Sequence, residues 1–96
     1  MPPINYRVSE AAVVTERFRQ LLDRAEAEGR LPLVVRATQY MMDELAYAPF
    51  QLGESREFRA SLQLHVRLAF VPPLQVEFAV HEPCRQVFIL RVGLQS

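Results

Sequence analysis

The sequence predicts a two-layer α+β domain, a helical hairpin packed on one face of a four-stranded, mainly antiparallel sheet in the order β-α-α-β-β-β. Three observations predict it. From Glu57 to Phe70 apolar and polar residues alternate without a break, with Phe58, Ala60, Leu62, Leu64, Val66, Leu68 and Phe70 as the apolar set. That period of two belongs to a strand with one buried face. Two more strand-like runs follow, Leu74 to Val80 and Arg85 to Leu94. Ahead of them lie two stretches whose apolar residues recur at three- and four-residue steps, the spacing of amphipathic helices.

The first element is a short alternating strand in which Ile4, Tyr6 and Val8 face one way. Ser9 is placed to cap the helix that follows, and Glu10 suits its positive end. Val14, Phe18, Leu21 or Leu22, and Ala25 form the stripe of a helix over about residues 10–28. Gly29 offers the left-handed position that ends it. Pro32 starts a second helix, where a missing amide is harmless. Val34, Ala37, Met41, Leu45 and Ala48 line that helix, and Pro49 stops it. So few residues join the two that they should fold back on each other.

Residues 49–55 read as a loop around Gly53, and the long strand then runs to Phe70. Val71-Pro72-Pro73 reads as a three-residue turn that pairs Phe70 with Leu74. Even-numbered residues, Phe58, Leu64, Val76 and Phe78 among them, then face the helices, and Arg67 stands opposite Glu77. In the final strand, Val87-Phe88-Ile89-Leu90 is continuously apolar. A run of that kind belongs in the middle of a sheet, so it is expected beside the first strand, with the long strand at the far edge.

Composition bounds what such a domain does. Ninety-six residues, half of them apolar, make one domain spanning 1–96 with a single core. Eleven basic and eleven acidic side chains cancel, so the chain lacks the basic excess of a typical phosphate-binding surface. Cys84 is the only cysteine, which excludes an intrachain disulfide or a cysteine metal cluster and fits a reducing compartment. Residues 1–8 lack the apolar run of a signal peptide, and no stretch is long enough for a membrane span. The expectation is a cytoplasmic protein with no membrane contact, no metal and no cofactor.

Several stretches resemble a known family. They are Leu45, Pro49 and Leu52-Gly53-Glu54, the long strand, the run from Pro73 to Glu82, and Val87-Phe88-Ile89-Leu90-Arg91-Val92. In this order, across nearly the whole chain, they resemble the RelE/ParE family of bacterial toxins, the toxic partners of type II toxin–antitoxin pairs. The resemblance implies the fold above and a protein that acts on, or is held by, a macromolecular partner. RelE-like members are ribosome-dependent endoribonucleases with Lys and Arg on the sheet, whereas ParE-like members bind DNA gyrase. The strand that often opens with Arg in the nucleases opens here with Leu74-Gln75.

Two sets of candidate site residues follow. If the chain cuts messenger RNA, free or on the ribosome, Arg67 and Arg91 would hold the phosphate and His65 or His81 would move the proton. The competing reading of the same residues is a solvated sheet face with Arg67 neutralised by Glu77. If the chain works by binding, Val87 and Ile89 form an apolar strip beside Arg85, turned away from the helices. An antitoxin peptide, or a second copy in a homodimer, would cover that strip. A non-toxic interaction module is the further alternative. His65 and His81 lack a third ligand for a metal. Tyr40 and Tyr47 share a helical face with Leu33, as a core or interface edge.

Overall fold

The computed structural model describes residues 5–95. Its elements are β1 (Arg7–Glu10), α1 (Ala12–Ala27), α2 (Leu31–Tyr47), a 3₁₀ turn (Pro49–Gln51), β2 (Glu54–Arg59), β3 (Leu64–Val71), β4 (Leu74–His81) and β5 (Gln86–Leu94). The sheet has five strands in the order β1-β5-β4-β3-β2. β1 runs parallel to β5, and every other pairing is antiparallel. The first strand thus lies beside the last, as expected. The expected four-stranded sheet gains a strand because the long alternating run is not one strand.

That run folds back on itself at Ala60–Gln63. Leu62 N–H donates to the Arg59 carbonyl and Gln63 N–H to that of Ala60, with Gln63 left-handed at φ 52°. β2 and β3 therefore form a hairpin. Alternation continues through the turn, so a period-two pattern alone does not reveal it.

Both helices place their stripes as the spacing requires. Val14, Leu21 and Ala25 of α1 and Val34, Ala37, Met41 and Leu45 of α2 are buried in one core with β4 and β5. The start of α1 differs from expectation. Ser9 lies in β1, and Ala11 occupies the N-cap with no side-chain hydrogen bond. The strand persists two residues further because Ser9 and Glu10 pair with Phe88 and Ile89. Ile4, expected in the first strand, lies outside the described residues.

At the far end of α1, Arg30 N–H donates to the Ala25 carbonyl and Gly29 N–H to that of Glu26. This closes the helix through a glycine at φ 72°. Arg24, hydrogen-bonded to Glu28, holds that carboxyl below its usual range, with Arg30 adding to the effect. Pro32 sits in the first turn of α2, where its missing amide costs nothing. The last carbonyls of α2 are met by the chain entering β1. Asn5 and Tyr6 N–H both donate to Ala46 O at 2.9 Å, and Asn5 Nδ2 donates to Tyr47 O at 3.1 Å.

The register between β3 and β4 is one residue away from the expected one. Pro72-Pro73 makes a two-residue turn, so Val71 pairs with Leu74 and Arg67 with Phe78. In β4 the even-numbered Leu74, Val76, Phe78 and Val80 face the helices as expected. In β3 the odd-numbered Ala69 and Val71 do so instead. Phe58 keeps the expected helix side of β2, opposite His65, yet is 52% exposed at the sheet edge, whereas Phe70 of β3 is turned to the other face and is likewise 52% exposed. A one-residue slip turns every side chain of a strand over.

β5 changes face along its length. Val80 pairs with Val87 and Phe78 with Ile89, but Glu77 pairs with Arg91, so Leu90 is an extra residue in a bulge. Val87, Ile89 and then Val92 consequently point into the core. With Val87 at 0% and Ile89 at 3% exposure, these two are core residues, not the apolar strip expected on the open face.

Candidate partner-binding face of the sheet

The sheet face away from the helices follows from these registers. On β3 it carries Leu64, Val66, Leu68 and Phe70, flanked by Arg59, Glu57 and Glu54 on β2 and by Ala79, Glu77 and Gln75 on β4. Beyond β4 lie Phe88 opposite Ala79 and Arg91 opposite Glu77. Leu90, on the bulge, joins Leu64, Val66 and Ala79 in a shallow hollow of ≈ 150 Å³ rimmed by Glu57, Arg59 and Glu77. A neighbouring hollow of ≈ 320 Å³ is lined by Arg56, Leu68, Gln75, Glu77, Arg91 and Gly93 among others.

The chain's cleanest apolar alternation thus lies on the uncovered side of the sheet. Phe70 and Leu90 stand out from it, whereas Val66 and Ala79 lie beneath their longer neighbours. The charges are paired locally. Arg59 lies 3.2 Å from Glu57, Arg91 3.7 Å from Glu77, and Arg56 3.8 Å from Glu54. Exposed pairs of this sort contribute about 0–1 kcal/mol each. They frame an apolar centre with charges that largely cancel.

The four residues proposed for phosphate chemistry do not converge. His65 and Arg67 are on the helix side of β3, while His81 and Arg91 are on the open side of β4 and β5. His65 stacks on Phe58, with centroids 4.4 Å apart, and meets Phe50 edge-on at 5.1 Å. Arg67 Nε donates to Leu52 O at 3.2 Å and its Nη2 to Gly53 O at 2.9 Å, with the guanidinium 5.9 Å from the Phe50 ring centre. The expected Arg67–Glu77 pair gives way to Arg91–Glu77, because Glu77 faces Leu68 across β3. His81 Nδ1 accepts from Cys84 N–H at 3.3 Å and closes the turn into β5.

Arg85 is left-handed at φ 51°, accepts the Arg7 N–H on its carbonyl at 2.9 Å, and lays its guanidinium 5.7 Å from the Tyr6 ring centre. It fastens a turn to β1, apart from the apolar face. Among the described residues no cluster of three or more His, Cys, Asp or Glu comes together. Leu33, Tyr40 and Tyr47 are exposed along the outer side of α2.

These contacts give Arg67 a structural role with a measurable size. Arg67→Ala is expected to destabilise the fold by about 1–3 kcal/mol, because a cation's hydrogen bonds to two carbonyls are lost. Arg67→Lys should recover under half of that, since an ammonium lacks the planar fork that spans both acceptors. Thermal unfolding of the two variants measures both effects.

Sequence reasoning missed that Leu64, Val66, Leu68 and Phe70 face away from the helices. The signal lay in Pro72-Pro73: taken as the whole turn, those two residues reverse the facing of β3 relative to β4. Compared with family models, curated proteins and solved structures, the chain matches none of them. No helix among the described residues is long and apolar enough to cross a membrane.

Proposed function

We infer that this chain is a toxin-like protein of the RelE/ParE kind that works in the cytoplasm by holding a macromolecular partner on the open face of its sheet. The observation that carries this reading is the row Leu64, Val66, Leu68 and Phe70, joined by Phe88 and Leu90, on a face that no element among the described residues covers. A contiguous apolar patch framed by charge is what an interaction surface presents. The partner that the resemblance implies is a short antitoxin segment, laid across β3, β4 and β5 with its apolar residues toward the hollow beside Leu90. The nuclease alternative gains no support from the geometry. Two of its four residues hold a loop or stack on aromatic rings, on the wrong side of the sheet for the other two.

The test is expression in a bacterial host with and without the product of a small open reading frame sought beside the gene. Growth should stop with the chain alone and resume with its neighbour, and bulk messenger RNA should stay intact. Phe70→Asp combined with Leu90→Asp replaces two exposed side chains, so the fold should survive. The purified pair should then bind about tenfold or more weakly, the scale of losing central apolar anchors. Undisturbed growth together with no binding of the neighbour would overturn the reading. Unchanged affinity in the double variant would move the site elsewhere.

A further inference from the structure

We propose that β2 is a self-recognition edge, along which two copies of this chain join antiparallel into one continuous ten-stranded sheet. β2 is the outermost strand, paired on one side only, with β3. Every one of its residues, Glu54-Ser55-Arg56-Glu57-Phe58-Arg59, is exposed. Edges of this kind are templates for another strand unless something blocks them. Charges are the usual block, because like charges meet when two copies pair.

Here the charges do the reverse. A two-fold axis between Arg56 and Glu57 sets Glu54 against Arg59, Ser55 against Phe58 and Arg56 against Glu57 of the second copy. Each pair occurs twice by symmetry, and every charge meets its opposite. Shifting one residue either way brings Arg56 onto Arg56 or Glu57 onto Glu57. Shifting two brings Glu54 onto Glu57 or Arg56 onto Arg59. In-register parallel pairing sets every charge against its like. Among antiparallel registers that pair four or more residues of β2, this one alone sets no charge against its like, and opposite charges directly across a strand pair are the stabilising arrangement.

The facing of the side chains fits that same register. Ordinary alternation would put Arg56 and Glu57 on opposite faces and spoil the match. The strand carries a bulge between Ser55 and Glu57, so Glu57 pairs with Val66 and Ser55 with Arg67. Ser55 and Phe58 therefore lie on the helix side, while Glu54, Glu57 and Arg59 lie on the open side. Arg56 shares the open side, lining the hollow with Leu68, Gln75 and Glu77. Read in either direction the strand runs open, helix, open, open, helix, open. Each residue thus meets a partner on its own face, and the bulge that would disrupt pairing with a regular strand suits pairing with itself.

Two six-residue edges bury little area, so the dimer is weak, with a dissociation constant on the order of 10–100 μM. Raising the salt from about 50 to about 500 mM should weaken it roughly tenfold, because its ion pairs are exposed. Sedimentation from about 10 μM to 1 mM, with unfolding curves as the check on folding, measures this. Arg56→Glu and Glu57→Arg should each give a folded monomer, and the double exchange Arg56→Glu with Glu57→Arg should restore the dimer. In a Cys84→Ser background, Ser55→Cys with Phe58→Cys should cross-link under mild oxidation, and neither cysteine should do so alone. A monomer at all concentrations, a dimer indifferent to the charge exchanges, or equal cross-linking by a single cysteine would each overturn the proposal. The partner-binding reading of the open face stands or falls separately, since Phe70→Asp with Leu90→Asp leaves this edge intact.

Discussion

Phe78→Ala is expected to cost the domain about 3–5 kcal/mol, the range for removing a fully buried aromatic ring. Phe78 is the largest side chain wholly shielded from water, at 0% exposure. It sits on β4 between Arg67 of β3 and Ile89 of β5, in the core beneath both helices. Val76 and Val80 on the same face of β4, and Met41 in the same core, are themselves fully buried. A domain of this size is stable by roughly 5–14 kcal/mol in total, so the variant keeps a fraction of that. Urea unfolding should show a lower midpoint with an unchanged slope. Phe70→Ala is the matched control: the same residue type, also even-numbered, on the adjoining strand, yet expected to cost under about 1 kcal/mol. Equal losses at the two positions would mean that β3 faces the other way, and the open apolar face would vanish with it.

Gly53→Ala should be the most damaging single-methyl change, at about 2–4 kcal/mol from two sources. Gly53 has φ 71°, which any other residue adopts at a cost. A β-carbon there would also collide with the Leu68 carbonyl oxygen and come within 2.7 Å of Ala69 Cβ and 2.8 Å of Ala69 Cα. Backbone and β-carbons cannot swing aside as a flexible side chain can, so the loop must move as a body. That loop supplies the carbonyl that Arg67 grips, and the two losses should couple in a double-mutant cycle. The other glycines grade the effect. Gly29 shares the positive φ but has open space around its α-carbon, so Gly29→Ala should cost only about 1 kcal/mol. Gly93→Ala meets nothing and needs no unusual backbone, so it should be neutral. Differential melting of the three variants resolves this series, since 1 kcal/mol moves the midpoint by about 4–8 °C.

What could be read from residues alone divides along a physical line. Helix stripes are local and redundant, and Val14, Leu21, Ala25, Val34, Ala37, Met41 and Leu45 all reached the core as their spacing required. The neighbourhood of the strands also followed: the apolar run Val87–Leu90 lies in an interior strand, between β1 and β4. Facing did not follow, because it depends on counts that a single residue changes. The Pro72-Pro73 turn is one residue shorter than expected, and the Leu90 bulge adds one. Between them they exchanged the inner and outer faces of β3 and of the first half of β5. Val87 and Ile89 went into the core, while Leu64, Leu68 and Phe70 came out of it. The site was therefore legible as a kind of surface, apolar and framed by charge, but not as particular residues. Arg67 and His65 were misplaced for the same reason: a period of two says which residues travel together, never which way they look.

The parallel contact between β1 and β5 joins the opening strand of the chain to its closing one. No local hairpin can form it. Residues 7–10 have no strand partner until residues 86–89 have been synthesised, although Asn5 and Tyr6 can meet the end of α2 before then. The assembly order is thus imposed by connectivity. The four antiparallel strands β2–β5 and the helices can gather early, and the sheet is sealed last, across the widest separation in sequence of any of its strand pairs. A nascent or C-terminally trimmed chain would leave residues 7–10 without their strand partner, open to proteases and chaperones until the final strand arrived to receive them.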